Sequence, residues 1–140
     1  MKEQSTASHG LFLLIVGLCA WAVPGAGHFV VKERKRAIII FVTIIATFLI
    51  GLYIGSVSVV DPVGAWPWYI PQMMTSPGVA ILGHMTKAGK YPPCYGKPND
   101  IGQIYTSIAG MLNLLCIISA IYMAYAGRGE IIGQEEEDAE

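Results

Sequence analysis

The sequence predicts an all-α integral membrane protein that crosses the bilayer three times. Three observations carry that reading. Residues 10–31, 37–60 and 101–127 contain no Asp, Glu, Lys or Arg, and each run holds at least 20 residues. A hydrocarbon core of roughly 30 Å needs about 20 helical residues at about 1.5 Å each. Hydrophobic residues make up 54% of the 140-residue chain and charged residues 14%, against roughly 25% charged in an ordinary soluble domain. The stretch between the second and third runs carries Pro62, Pro67, Pro71, Pro77, Pro92, Pro93 and Pro98, and prolines break regular helices. One membrane domain is therefore expected over 1–140. Its spans lie at about 9–31, 37–57 and 100–126, with an outer segment over 58–99 and an acidic tail over 128–140.

Residues 1–8 form a short polar tail. The first apolar run follows. Lys2, the stretch 11–19 and Ala20-Trp21-Ala22 mimic a secretory signal with a small-residue cleavage site. Leu18 before Cys19 does not suit lipoprotein processing, and the segment is read as a retained first span. Pro24, Gly25, Gly27 and His28 interrupt it. Proline removes a helical hydrogen bond and glycine adds backbone freedom. The helix is expected to kink or end near Val23, with residues 25–31 bending back to the membrane surface. An ordinary proline kink in a continuous span is the other reading.

Lys32, Arg34, Lys35 and Arg36 crowd the next connection. Positive residues in short loops favour the cytoplasmic side. That places the N-terminus outside, this loop inside, the middle segment outside and the C-terminus in the cytoplasm. By this reading five Lys and Arg lie inside (the four above and Arg128), against Lys2, Lys87, Lys90 and Lys97 outside. The margin is one residue, and the dense loop decides it. In the second span, Gly51-Leu52-Tyr53-Ile54-Gly55 is a G-x-x-x-G pattern. It leaves two positions without side chains on one face, where another helix can approach.

In the outer segment, Trp66, Trp68 and Tyr69 form an aromatic cluster suited to the headgroup layer. Ser76-Pro77 reads as a helix start and Gly89 as its end, giving a short extracytoplasmic interfacial helix over about 77–88. Val79, Leu82 and Met85 would form its apolar face. Residues 90–98 read as a loop. Asn99 caps the third span, and Asp100 complements its dipole. Gly127 marks its end, and Arg128 anchors it at the headgroups. Ala120 and Ala124 offer a second small-residue face. The acidic tail reads as solvated.

The spans hold little chemistry. The second and third have no ionisable acid or base, which an ion pump usually keeps there. Asn113, near the middle of the third span, must find a partner for its amide, so it should face protein. An interhelical hydrogen bond is its simplest role. His9, His28 and His84 raise the question of haem or metal. On this topology His28 and His84 fall at opposite ends, whereas His9 shares an end with His84. His28 is expected to satisfy the broken backbone beside it or to sit at the interface. Cys19, Cys94 and Cys116 are isolated, without zinc spacing. Cys94 reads as a free thiol. No nucleophile elbow, paired carboxylate within a span or phosphate loop occurs. The expectation is a protein that is not an enzyme, with no cofactor and no metal. Near-zero net charge points away from nucleic acid.

Two stretches carry a resemblance. Pro24-Gly25-Ala26-Gly27-His28-Phe29, followed by Arg34-Lys35-Arg36 and a second apolar run, resembles the Pro-Gly-x-Gly-polar-aromatic signature of small bacterial TM2-like proteins. Residues 100–115, with Leu112-Asn113-Leu114-Leu115 at their end, are similar to the final helix of a family of small membrane proteins from planctomycetes and related phyla. That family tends to carry an acid shortly after this stretch. Ser119-Ala120 stands there instead, so no role for an acid carries over. The resemblance implies a bacterial inner-membrane protein and supplies no activity.

The leading functional expectation is an accessory or assembly subunit of a larger membrane complex. It would pack through its uncharged helices and outer segment, with lipids and other integral membrane subunits as partners. The alternative is a small oligomeric transporter, channel or lipid-handling protein that uses the broken first helix. A haem-bearing electron-transfer subunit is a third reading.

Overall fold

The computed structural model describes residues 2–89, 91–92 and 95–127, with side chains from residue 9 onward. Lys90, Pro93, Cys94, Arg128 and the acidic tail lie outside the described residues, and so do the roles expected of them. The chain is helical, without strands among the described residues. Helices α1 (Lys2–Ala22), α2 (Ala26–Val30), α3 (Arg34–Gly55), α4 (Trp66–Met73), α5 (Gly78–Lys87) and α6 (Lys97–Ala126) follow in order, with a 3-10 turn at Val57–Val59 after α3.

α6 is the axis of the bundle, and α1, α3 and α4 all pack on it. α3 runs antiparallel to it. Arg36 Nη1 donates to Met123 Sδ at 3.9 Å near one end, and Gly55 meets Gly102 near the other. The contact is close because the facing positions are small. A Cβ on Gly51 would sit 3.0 Å from both the Gly102 oxygen and the Thr106 nitrogen. Gly51 and Gly55 therefore bind this chain's own α6. Ile44, Phe48, Val60, Val79 and Ala109 fill the core beside that seam.

α3 and α6 are long and apolar enough to cross a membrane. Only 22% of the most apolar stretch of α3 and 33% of that of α6 is buried. Their outer faces show Ile38, Ile39, Val42, Leu115 and Ile118 to the surroundings, whereas Asn113, Thr106 and Gln72 are inside. Apolar outside and polar inside is the arrangement that hydrocarbon favours.

The expected first span, 9–31, is not one helix. Its apolar helical part covers His9–Ala22. The chain then breaks at Pro24 and Gly25, and α2 returns. Gly25 adopts φ 83°, and a side chain there would strike the Ala37 carbonyl of α3. The break closes through its own backbone: Val23 N–H reaches Cys19 O at 3.1 Å, and Ala26 N–H reaches Val23 O at 3.0 Å. His28 takes no part with its side chain. It is 3% exposed, and its Nδ1 has no partner. Gly27 lets α2 fold onto Ala20 and Ala120. The α1–α2 pair is thus a hairpin whose arms start and finish at one end of the bundle. The His9 ring lies 6.2 Å from the Tyr125 ring, and a hollow at that end is lined by Phe12, Lys32 and Gly127. The expectation that the first span starts at the end of the bundle opposite to where the third finishes is not met by this packing. α1 begins where α6 ends.

α4 and α5 form a second hairpin, entering from the other end. α4 was not foreseen, because Pro67 and Pro71 read as breakers. Pro67 instead sits in the first turn of α4, where no N–H is needed, and Pro71 lies near its end. Ser107 Oγ donates to Trp68 O at 3.2 Å, and Gly110 lies against Pro71 O, so α4 runs down α6 in the same direction. α5 climbs back, and Thr86 Oγ1 donates to Val57 O at 3.1 Å beyond the end of α3. Gly83 makes room for the Tyr69 ring between the two arms. The segment expected at the interface is therefore two helices packed on the bundle. His84, two residues from Thr86, lies at the end opposite His9, which corrects the shared end expected for that pair. α6 begins at Lys97, with Gly96 rather than Asn99 as its N-cap. Gly127 closes it at φ 64°.

Candidate functional site

The tips of the two hairpins meet beside the middle of α6. A helix leaves its last carbonyls without intrahelical donors, and here the C-terminal ends of α1 and α4 face one another. Three side chains supply the missing donors. Asn113 Nδ2 donates to Met74 O at 2.9 Å, to Thr75 O at 3.0 Å and, more weakly, to Ala20 O at 3.4 Å. Trp21 Nε1 donates to Met73 O at 3.0 Å. Ser76 Oγ donates to Ala22 O at 3.0 Å and accepts from Gly78 N at 3.2 Å. Asn113 is fully buried. Its amide reaches carbonyls of α1 and of the α4–α5 turn from α6.

Above Asn113, α6 presents one polar and small face to α4: Gln103, Thr106, Gly110 and Asn113, three or four residues apart. Gln72 Nε2 donates to Thr106 Oγ1 at 2.8 Å and to Val59 O at 3.4 Å. Thr106 Oγ1 lies 2.8 Å from Gly102 O and 3.1 Å from Gln103 O. The face is close-packed at Gly110, where any side chain would overlap the Pro71 carbonyl. Three oxygens along it have no partner among the described residues: Gln72 Oε1, Thr75 Oγ1 and Asn113 Oδ1. Their residues are 0%, 2% and 0% exposed. An unmatched buried acceptor costs about 1–3 kcal/mol, so three along one seam call for an explanation.

The seam's upper end opens into a cleft of about 670 Å³. Gln103 lines it, together with Asp61, Trp68, Tyr91, Tyr95 and Asn99. Asp61 Oδ1 accepts from the backbone N–H groups of Val63 at 2.9 Å and Gly64 at 3.0 Å, which fixes the carboxylate in a tight turn.

The remaining residues singled out from the sequence spread over the bundle. Ala120 and Ala124 pack with Val16 of α1, partly covered by Leu13 and Val31. Like Gly51 and Gly55, they are used within the chain. Trp66 and Trp68 are exposed on α4, at 60% and 43%. Arg34 lies over the Phe29 ring at 6.0 Å, and Arg36 Nε is 3.7 Å from Glu33 Oε2. Lys32 adopts φ 69° at the turn into α3, and Lys35 follows on that helix. Cys19 and Cys116 are free. Among the described residues no group of three His, Cys, Asp or Glu side chains could hold a metal ion. Gln72, Thr75 and the stripe Gly102, Thr106, Gly110 escaped the sequence reading. The stripe's four-residue spacing was the signal that could have found it.

Residues 15–130 match a family of unknown function (DUF6677), which is most of the chain, and the chain belongs to that family. No curated protein and no solved structure matches it.

Proposed function

We propose that this chain is an integral membrane protein of the solute-binding or transport class. In this reading α3 and α6 cross the bilayer, and the two hairpins each enter halfway from opposite faces. The observation that carries it is the seam from the cleft to the hairpin junction, with three buried oxygens that nothing among the described residues matches. Interrupted helices whose C-terminal ends meet halfway across a membrane, beside unmatched side-chain oxygens, suit a cation or a hydrogen-bond donor. The charge pattern supports the topology. With the start of α1 and the end of α6 on one side, Lys2, Lys32, Arg34, Lys35 and Arg36 share it, against Lys87 and Lys97 on the other. Among the described residues the balance is five against two, and the positive side is cytoplasmic. The cleft then faces outward. The bacterial inner membrane as its location comes from the resemblance above.

The test is a swelling assay on proteoliposomes, with glycerol, urea, methylammonium chloride and potassium chloride as solutes. Entry of at least one solute faster than into protein-free vesicles, and slowed by Thr75→Val, is the expected result. Rates equal to those of empty vesicles for all four would overturn the reading.

A second reading is the accessory or assembly subunit. It is favoured by the separation of the two end hollows: the cleft and the hollow beside Phe12 and Gly127 share no lining residue, so a second chain would have to complete any path. A monodisperse 15.1 kDa monomer, purified in mild detergent at native expression with nothing bound, would argue against it.

A further inference from the structure

The cleft itself has a chemical preference. Its volume of about 670 Å³ falls within the roughly 300–1,000 Å³ of small-molecule sites. Asp61 is the one acid among its described lining residues, and no Lys or Arg stands among them. Two backbone N–H groups hold one oxygen of that carboxylate, so its direction is set before any ligand arrives. Trp68, Tyr91 and Tyr95 line the same cleft. Aromatic faces carry partial negative charge and attract cations, and ammonium groups most of all when a carboxylate is near. Among the described lining residues nothing compensates that negative charge for an anion. Below the mouth, on the face between α4 and α6, Gln72 Oε1, Thr75 Oγ1 and Asn113 Oδ1 have no partner among the described residues. The cleft carboxylate and these oxygens suit a ligand that brings N–H groups.

We propose that the cleft binds a small organic ammonium ion, held by Asp61 and by the faces of Trp68, Tyr91 and Tyr95. This deepens the solute-binding reading by naming the class of solute, and it rests on that reading only below Gln103.

Calorimetric titration of the full chain in dodecyl maltoside tests it. Ethylammonium chloride is compared with 1-propanol, a neutral molecule of like shape. Ethylammonium should bind at least about tenfold more tightly. Asp61→Asn keeps an oxygen for the turn and removes the charge; it should weaken ethylammonium by about tenfold or more. Tyr95→Leu, at a ring 80% exposed and so costless to the fold, should weaken it by about threefold. Equal affinity for the two probes, or unchanged affinity in Asp61→Asn with its helical spectrum intact, would overturn the proposal. Ethylammonium binding without flux of any solute leaves this inference standing and removes the transport reading. Flux of a neutral solute with no ethylammonium binding does the reverse.

Discussion

The side-chain nitrogen of Asn113 donates to the Met74 carbonyl at 2.9 Å, joining the middle of the longest helix to the tip of the α4–α5 hairpin. The same amide reaches Ala20 O at the tip of the other hairpin. One residue therefore caps two helix ends. Asn113→Leu removes the donor from carbonyls that have no water to turn to. Thermal unfolding in detergent should show a loss of about 1–3 kcal/mol. A melting temperature equal to that of the parent would mean that the hairpin tips are held by packing alone.

Thr75 gives the opposite expectation. Its hydroxyl is buried without a partner, and valine has nearly the same shape. Thr75→Val removes a desolvated polar group and should raise stability by about 1 kcal/mol. If the seam serves a solute, the same substitution should slow its entry. A variant that melts higher and transports less separates a functional acceptor from a structural one. A variant that melts lower would show that the hydroxyl has a partner in the folded protein.

Glycines divide in the same way. Gly110 faces the Pro71 carbonyl with no room for a methyl group, whereas Gly10, on α1, has nothing within 4 Å of where its Cβ would stand. Gly110→Ala must push α4 away from α6, an overpacking cost of about 1–3 kcal/mol. Gly10→Ala should be neutral or stabilising, by up to about 1 kcal/mol, through helix propensity. Equal melting temperatures for the two variants would contradict the close approach of α4.

What the sequence made legible follows from which signals are local. The apolar stretch of α3 and the end of α6 at Gly127 are legible, because uncharged length and a left-handed cap are properties of one segment; the start of α3 at Arg34, three residues before the expected 37, is not. The interruption at Pro24 and Gly25 was readable for the same reason. Where the broken run goes next was not. Composition says that residues 9–31 are apolar, and an apolar hairpin has the same composition as an apolar span. The direction is set by contacts of Gly25 with Ala37 and of Gly27 with Ala120, which are distant in the chain. α4 was hidden by its own prolines, since a proline in the first turn stabilises a helix that a proline in the middle would break. Asn113 could be picked out as a buried amide, but its partners are backbone carbonyls, which carry no residue signature. Gln72 and Thr75 carry no local signal, because a proline-rich segment just past a span reads as interfacial.

The hairpin reading of the N-terminal run makes a topological prediction that a three-crossing chain cannot share. His9 and Tyr125 lie with their rings 6.2 Å apart, so paired cysteines there should be bridged by a short bismaleimide. The background would carry alanine at Cys19, Cys94 and Cys116. In His9→Cys with Tyr125→Cys, cross-linking within one chain should be efficient in membranes. His9→Cys paired with Asp61→Cys should not cross-link, since Asp61 lines the cleft at the far end of the bundle. A continuous first span would place residue 9 with Asp61, across the bilayer from residue 125, and would reverse both results. Because the reagent reports on distance and not on charge, the outcome is independent of which face is cytoplasmic. It therefore tests the fold of the first thirty residues separately from the orientation proposed from the basic loop.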